Sequence, residues 1–166
     1  MVWQSPWYGL RQDRLRAESG LEFTYTVVEH PGSVVILPVT REGQVVLIRS
    51  YRYPVEEYCY ELPAGGLGSD RSPEQAAVRE LEEEVGGRAD RLEYVGRFFP
   101  SNGISNEQAH IFLATGVVLG PTHRESTEVM EIRLVSPEEA LRMVRAGEVS
   151  DGRAIVALLW CAPRLR

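Results

Sequence analysis

Short runs rich in β-branched and aromatic residues, parted by polar turns, fill the first half of the chain and read as β-strands. They cover residues 23–28 (FTYTVV), 34–39 and 45–48, with REGQ at 41–44 as the turn between the last two. A further short strand is predicted at 58–62 (YCYEL), leading into a glycine-rich loop at 63–68 (PAGGLG). The pattern then changes. Ser72 is a good N-cap, Pro73 suits the first helical position, Gln75 lies three residues after the cap, and Gly86-Gly87 supplies a stop. These signals predict a helix over 73–85. Strands follow at 92–99, 110–118 and 129–135. A second helix opens at Ser136-Pro137 and stops at Gly147, and a third is predicted from about 152 to 160. Strands, a helix, more strands and two helices describe a mixed α/β chain, expected to fold as one domain over residues 1–166.

With 166 residues the chain is long enough to bury a core without disulfide staples. No apolar run approaches the roughly 20 residues that a membrane-spanning helix needs, and residues 154–162 read as a buried helix. The N-terminal segment lacks the apolar centre of a signal peptide. Cys59 and Cys161 build no framework; they are expected to be small buried hydrophobes in a reducing, cytoplasmic setting. The basic side chains number 18, all arginine, against 24 acidic ones, for a net charge of −6. That balance argues against duplex-DNA binding and against a basic single-strand channel.

The helix at 73–85 carries the chemistry. At about 100° per residue, with Glu80 set to zero, Glu84 falls near 40° and Glu83 near 300°, so three carboxylates share one stripe. Ala77, Val78, Leu81 and Val85 fall between about 60° and 160°, an adjacent apolar stripe expected to face the core. Glu82 points away. Like charges one turn apart repel, and near a helix C-terminus they oppose the dipole. A divalent cation would reverse both penalties, and oxygen donors without clustered His or Cys select a hard ion such as Mg²⁺, Mn²⁺ or Ca²⁺.

The run from Gly65 to Gly87, GGLGSDRSPEQAAVRELEEEVGG, resembles the Nudix box, G-x5-E-x7-R-E-U-x-E-E-x-G-U, where U is a bulky aliphatic residue. Gly65, Arg79, Glu80, Leu81, Glu83, Glu84 and Gly86 match in register. Arg71 stands in place of the first Glu, which in the family braces the loop and pairs with the box Arg; Asp70 or Glu74 are the candidate substitutes. Gly87 stands in place of the last aliphatic residue. The segments LIRSYRYP at 47–54, ELPAG at 61–65 and SNGISNEQAHIFLA at 101–114 are similar to those of ADP-ribose pyrophosphatase-type Nudix hydrolases.

This resemblance implies a Nudix-type α/β/α sandwich with a mixed central sheet and an N-terminal strand extension. It implies cleavage of a nucleoside diphosphate linked to another moiety, ADP-ribose to AMP and ribose 5-phosphate being the first expectation. It implies Mg²⁺ or Mn²⁺ held by Glu80 and Glu84, by Glu83 directly or through water, and by the Ala64 carbonyl. Arg52, with Arg49 second, is the phosphate-binding candidate, since a guanidinium can fork two oxygens. Tyr51, Tyr53, Trp7, Tyr8 and Phe99 are candidate seats for the base or sugar, and Glu107 is an acid near the site. Glu83, Glu125 and Glu128 remain alternatives for the base that activates water. His30, His110 and His123 show no metal-binding spacing, and His110 reads as structural. Members of this group often form homodimers through N-terminal strands, which would bring residues 3–8 to the partner's site. ADP-ribose pyrophosphatases usually carry Ser-Pro-Gly where this chain has Ser101-Asn102-Gly103, so another nucleotide sugar such as GDP-mannose is the alternative substrate. A nucleotide sensor without turnover is the rival class.

Overall fold

The computed structural model describes residues 1–68, 72–123 and 130–165. Among them ten strands and three α-helices follow one another: β1 (Trp3–Gln4), β2 (Gly9–Arg16), β3 (Glu22–Glu29), β4 (Ser33–Thr40), β5 (Val45–Arg52), β6 (Glu57–Glu61), β7 (Ala64–Gly66), α1 (Pro73–Val85), β8 (Arg91–Phe98), β9 (Ala109–Val117), β10 (Met130–Val135), α2 (Pro137–Arg145) and α3 (Gly152–Cys161). The central sheet runs β10-β5-β4-β9-β8, with β6 added to β5 and β7 to β4. The β4–β9 pair is parallel and the other pairs are antiparallel, so the sheet is mixed.

Strand β4 (SVVILPVT) shows why the chain layers as it does. It is apolar almost throughout, as a strand covered on both faces must be. Val34 and Ile36 pack with Ala77, Leu81 and Val85 of α1, whereas Val35 and Leu37 pack with Ala140 and Met143 of α2 and Ala157 and Leu158 of α3. Because successive side chains point to opposite faces, one strand feeds two cores. The result is the α/β/α sandwich. All three helices begin on side-chain caps: Ser72 accepts from the Gln75 amide, Ser136 from Glu139 and Asp151 from Ala154. Cys59 and Cys161 are buried free thiols, and burial pushes the Cys161 thiol up to about 11.

Two features depart from the expectations drawn from pattern alone. The glycine-rich segment is not loop throughout, because Ala64–Gly66 pairs antiparallel with Ser33–Val35. The N-terminal region holds β2, a largely polar strand paired along its whole length with β3, together with the short β1. This smaller sheet touches the body through the 103–106 segment. The Val28 amide donates to the Ile104 carbonyl at 2.8 Å, the His30 amide to Asn106 Oδ1 at 2.9 Å, and Tyr25 Oη to the Gly103 carbonyl at 2.5 Å. Leu15 and Phe23, opposite one another in this sheet, are both exposed. No helix among the described residues is long and apolar enough to cross a membrane.

Candidate active site on helix α1 and the strand before it

The buried arc of α1 is not where the apolar stripe alone puts it. Ala76, Ala77, Glu80, Leu81, Glu84 and Val85 are buried, while Val78 is 54% exposed. On the wheel these buried positions span from about 320° through zero to about 140°, with Glu80 and Glu84 in the middle of the arc. Val78 lies just beyond its far edge. Glu80 is 8% and Glu84 3% exposed, and two carboxylates on the core side of a helix demand partners. Glu83 flanks the arc and is half-buried.

The strand β7 and Arg79 provide the partners. Glu84 Oε2 accepts from the Ala64 amide at 3.0 Å. Arg79 Nη1 donates to Glu80 Oε1 at 2.7 Å and to Glu83 Oε2 at 2.9 Å, and its Nη2 reaches the Gly66 carbonyl at 3.1 Å. One guanidinium thus ties two box carboxylates to the strand before the helix. Gly65 is what permits this approach: a Cβ there would lie 1.9 Å from Glu80 Oε1. Gly87, the departure at the end of the box, also has a packing reason. A Cβ at 87 would meet the Leu81 side chain at 2.8 Å, so the volume of the missing aliphatic residue is already filled. Asp70 and Arg71 lie outside the described residues. Glu74 is turned onto the helix start, where its own backbone amide and Ser72 hold its carboxyl below the ordinary value.

Beside this cluster stands Arg52. Its Nε donates to Glu61 Oε1 at 2.7 Å and its Nη2 to Glu61 Oε2, a bidentate pair whose acid is 4% exposed. Bonding to Glu61 raises the guanidinium's pKa above its ordinary value, with smaller contributions from the fields of Glu61, Glu84 and Asp151. Arg52 lines a cavity of about 480 Å³ with Glu61, Cys59, Ser150, Asp151 and Arg153. Asp151 and Arg153 continue into a second cavity of about 580 Å³, with Phe98, Phe99 and Glu107. Glu107 Oε1 accepts from Ser33 Oγ at 2.7 Å, and Ser33 pairs with Gly66. Glu107 is therefore tied to the strand edge that carries the box.

Several of the other candidates fall elsewhere. Strand alternation puts Arg49 and Tyr51 on the face of β5 opposite to Arg52. There Arg49 lies over the Tyr58 ring at 4.3 Å and pairs with Glu131 at 3.5 Å, while Tyr51 meets Tyr58 edge-on. Tyr53 is 80% exposed in the β5–β6 turn. Trp7 and Tyr8 sit in the N-terminal region with Tyr8 against Trp3, and Phe99 lines the larger cavity. His110 packs beside Tyr94, and burial and Arg97 lower its pKa. His30 Nδ1 accepts from the Gly32 amide, and the His123 amide donates to the Glu83 carbonyl. Glu125 and Glu128 lie outside the described residues. Sequence reasoning assigned nothing to Glu61, Asp151 or Arg153. Only the cross-strand register of β5 and β6 and the seat of α3 bring them to Arg52, although Glu61 as the one acid in the predicted run 58–62 (YCYEL) is a signal.

The donor chemistry here suits a hard divalent cation: carboxylates and backbone oxygen, with no His or Cys among them. Among the described residues no three His, Cys, Asp or Glu side chains converge closely enough to enclose an ion as they stand. Glu80 and Glu83 converge on Arg79 instead. The carboxylates of Glu80, Glu83 and Glu84 beside the Gly65 crevice fit such an ion in their chemistry.

Comparison with known proteins identifies the family. A family model described as "NUDIX domain" matches residues 29–159. The ADP-ribose pyrophosphatase of Bacillus subtilis (strain 168) is 38% identical over 134 residues, covering 80% of this chain and 72% of that protein. The ADP-ribose pyrophosphatase of Mycobacterium tuberculosis is 33% identical over 156 residues, 92% of this chain and 75% of that one. A methanol dehydrogenase activator of Bacillus methanolicus is 30% identical over 154 residues, 90% of this chain and 82% of that protein. A solved structure described as an ADP compounds hydrolase superposes with a TM-score of 0.85, covering 99% of this chain and 89% of that one at 21% identity, a likeness of fold. With its box carboxylates in register and gathered against the strand that precedes them, the chain belongs to the Nudix domain family and is a Nudix hydrolase.

Proposed function

We propose that this protein hydrolyses the pyrophosphate bond of a nucleoside diphosphate linked to another moiety, ADP-ribose to AMP and ribose 5-phosphate being the first candidate. The observation that carries the reading is the burial of Glu80 against Gly65 and of Glu84 against the Ala64 amide, with Arg52 in the field of Glu84, in a chain related over most of its length to ADP-ribose pyrophosphatases. Mg²⁺ or Mn²⁺ would be held by Glu80, Glu83, Glu84 and the Ala64 carbonyl, and such an ion offsets the negative charge of a pyrophosphate. Arg52 binds a phosphate oxygen through its Nη1, since Glu61 takes the other two nitrogens. Glu107 and Phe99 line the space for the sugar. Arg49, Tyr51 and Tyr53 form an aromatic and cationic surface on the other side of β5, open to the rest of the substrate or to a second subunit. Glu83, half-buried and held by Arg79, takes a proton from the attacking water, a role for which Glu125 and Glu128 are the alternatives.

In the same reading residues 1–166 form one domain that works in the cytoplasm, without nucleic acid or membrane. It pairs as a homodimer through the N-terminal sheet, whose exposed Leu15, Phe23 and Trp3, with Trp7 in the turn after β1, would otherwise face water. Asn102 keeps GDP-mannose and related nucleotide sugars as alternative substrates. The test incubates the protein with ADP-ribose, GDP-mannose, ADP-glucose and diadenosine polyphosphates, with Mg²⁺ or Mn²⁺, and separates the products. AMP from ADP-ribose is expected, and Glu84→Gln is expected to lose on the order of 10²-fold or more in rate. Binding of nucleotide without any product would overturn the reading in favour of a sensor.

A further inference from the structure

We propose that Glu61 is a positioning residue for the substrate's phosphate, acting wholly through Arg52. The inference rests on the reading of Arg52 as the phosphate contact. A carboxylate only 4% exposed cannot be stabilised by water, so its charge commits it to a partner in the protein. That partner is Arg52, held at two nitrogens by the two oxygens of Glu61. A planar guanidinium gripped along one edge by a planar carboxylate has no freedom of rotation left. Its side chain is nonetheless 42% exposed, and it lines the cavity that contains Asp151 and Arg153. Among the described residues Arg52 Nη1 has no hydrogen-bond partner, while Nε and Nη2 are both taken. The pair is therefore asymmetric: a buried acid fixes one edge of the arginine and leaves one nitrogen for an anion.

The arrangement has a second consequence. Arg52 lies within the field of Glu84 and Asp151, each of which attracts it. An arginine on a flexible stem beside three acids would be drawn toward whichever was nearest, and the box carboxylate Glu84 would then compete with the substrate for it. Two hydrogen bonds to Glu61 keep the guanidinium off Glu84. Glu61 thus protects both the phosphate contact and the carboxylate proposed to hold the cation.

The test is a double-mutant cycle read by binding rather than turnover. Titration calorimetry with ADP, without divalent metal, is performed on the wild type, Glu61→Gln, Arg52→Met and the double variant, with thermal unfolding of each to confirm the fold. Glu61→Gln keeps the shape but loses the second charge-assisted bond, and is expected to weaken ADP on the order of tenfold, the scale found when a partner that orients a ligand-holding side chain is removed. In the Arg52→Met background the same change is expected to alter ADP affinity less than about twofold. Should Arg52→Met leave Glu61 too uncompensated to fold, Arg52→Lys takes its place, since it retains the charge but not the fork. Losses that multiply in the double variant, or Glu61→Gln binding ADP as the wild type does, overturn the proposal. Failure of the wild type to cleave any nucleotide would overturn the hydrolase reading instead, and leaves the outcome of this cycle intact.

Discussion

Replacing Gly65 by alanine separates the needs of the fold from those of the site. The added Cβ would lie 1.9 Å from Glu80 Oε1, 2.1 Å from its Cδ and 2.5 Å from Oε2, with no backbone atom among these nearest neighbours. The obstacle is therefore the mobile end of one side chain. Glu80 can move aside by changing rotamer, at a cost of about 0.5–1.5 kcal/mol. Giving up its 2.7 Å bond from Arg79 adds about 1–2 kcal/mol, because a hydrogen bond between charged groups is lost. Gly65→Ala is thus expected to lower stability by about 2–3 kcal/mol, which for a chain of this size shifts the unfolding midpoint by roughly 4–12 °C. Cation binding is expected to suffer more, because a ligand forced out of the buried arc no longer faces Glu84. Mn²⁺ affinity, followed by paramagnetic resonance, should fall on the order of 10-fold to 100-fold, with hydrolysis falling at least in parallel. A Gly65→Ala protein that unfolds at a lower temperature yet binds Mn²⁺ as the wild type does would refute the argument that this glycine exists to admit Glu80.

Three further outcomes can be checked on the same protein. Gly86, at φ 63°, has the Gly120 carbonyl oxygen 2.1 Å from where a Cβ would stand; this obstacle is backbone, so Gly86→Ala should cost about 2–4 kcal/mol in chemical denaturation. Ser136→Ala removes the oxygen that accepts from the Glu139 amide at 3.1 Å and should cost about 1 kcal/mol, measured by the same method. Arg142 bridges Glu139 and Glu148 and holds both carboxyls below their ordinary range, so its stabilising effect is present above that range and is lost as pH falls through their lowered values. Thermal unfolding of wild type and Arg142→Met should therefore differ at pH 7 and converge at acid pH, and a gap that persists there would contradict the assignment.

Much of this architecture was legible from local chemistry. Helices α1 and α2 begin at the cap residues that announce them, Ser72 and Ser136, and strands such as Ser33–Thr40 are apolar enough to be read without a partner. The polar strand Gly9–Arg16 was not legible from pattern alone. Its sequence, GLRQDRLR, buries little, and it is a strand only because Glu22–Glu29 pairs with it along its whole length. Ala64–Gly66 likewise has too little side chain to show a period, and its strand character comes from the edge that Ser33–Val35 offers. In the site, Glu80, Glu83 and Glu84 were visible as a stripe, and Arg79 was placed in their register. The pairing of Arg52 with Glu61 was not, because it depends on the register of β5 against β6, which no single stretch encodes.

The error over Val78 has a more general cause. Hydrophobic periodicity assumes that a helix turns its most apolar stripe to the core, and by that rule Val78 belongs inside and Glu84 at the rim. In the structure the helix is turned by roughly 60° toward the acidic side. This brings Glu80 to Gly65, gives Glu84 the Ala64 amide and leaves Val78 in water. Exposing a valine forfeits about 1–2 kcal/mol of burial, and desolvating two carboxylates costs more than that. Packing alone would favour the opposite rotation. The one adopted follows from the glycine crevice and from an arginine that bridges two acids and a strand carbonyl, arrangements that serve ligands rather than the core. Where a helix departs from its own apolar moment toward its charges, the departure itself points to a candidate site, and here it falls on Glu80 and Glu84.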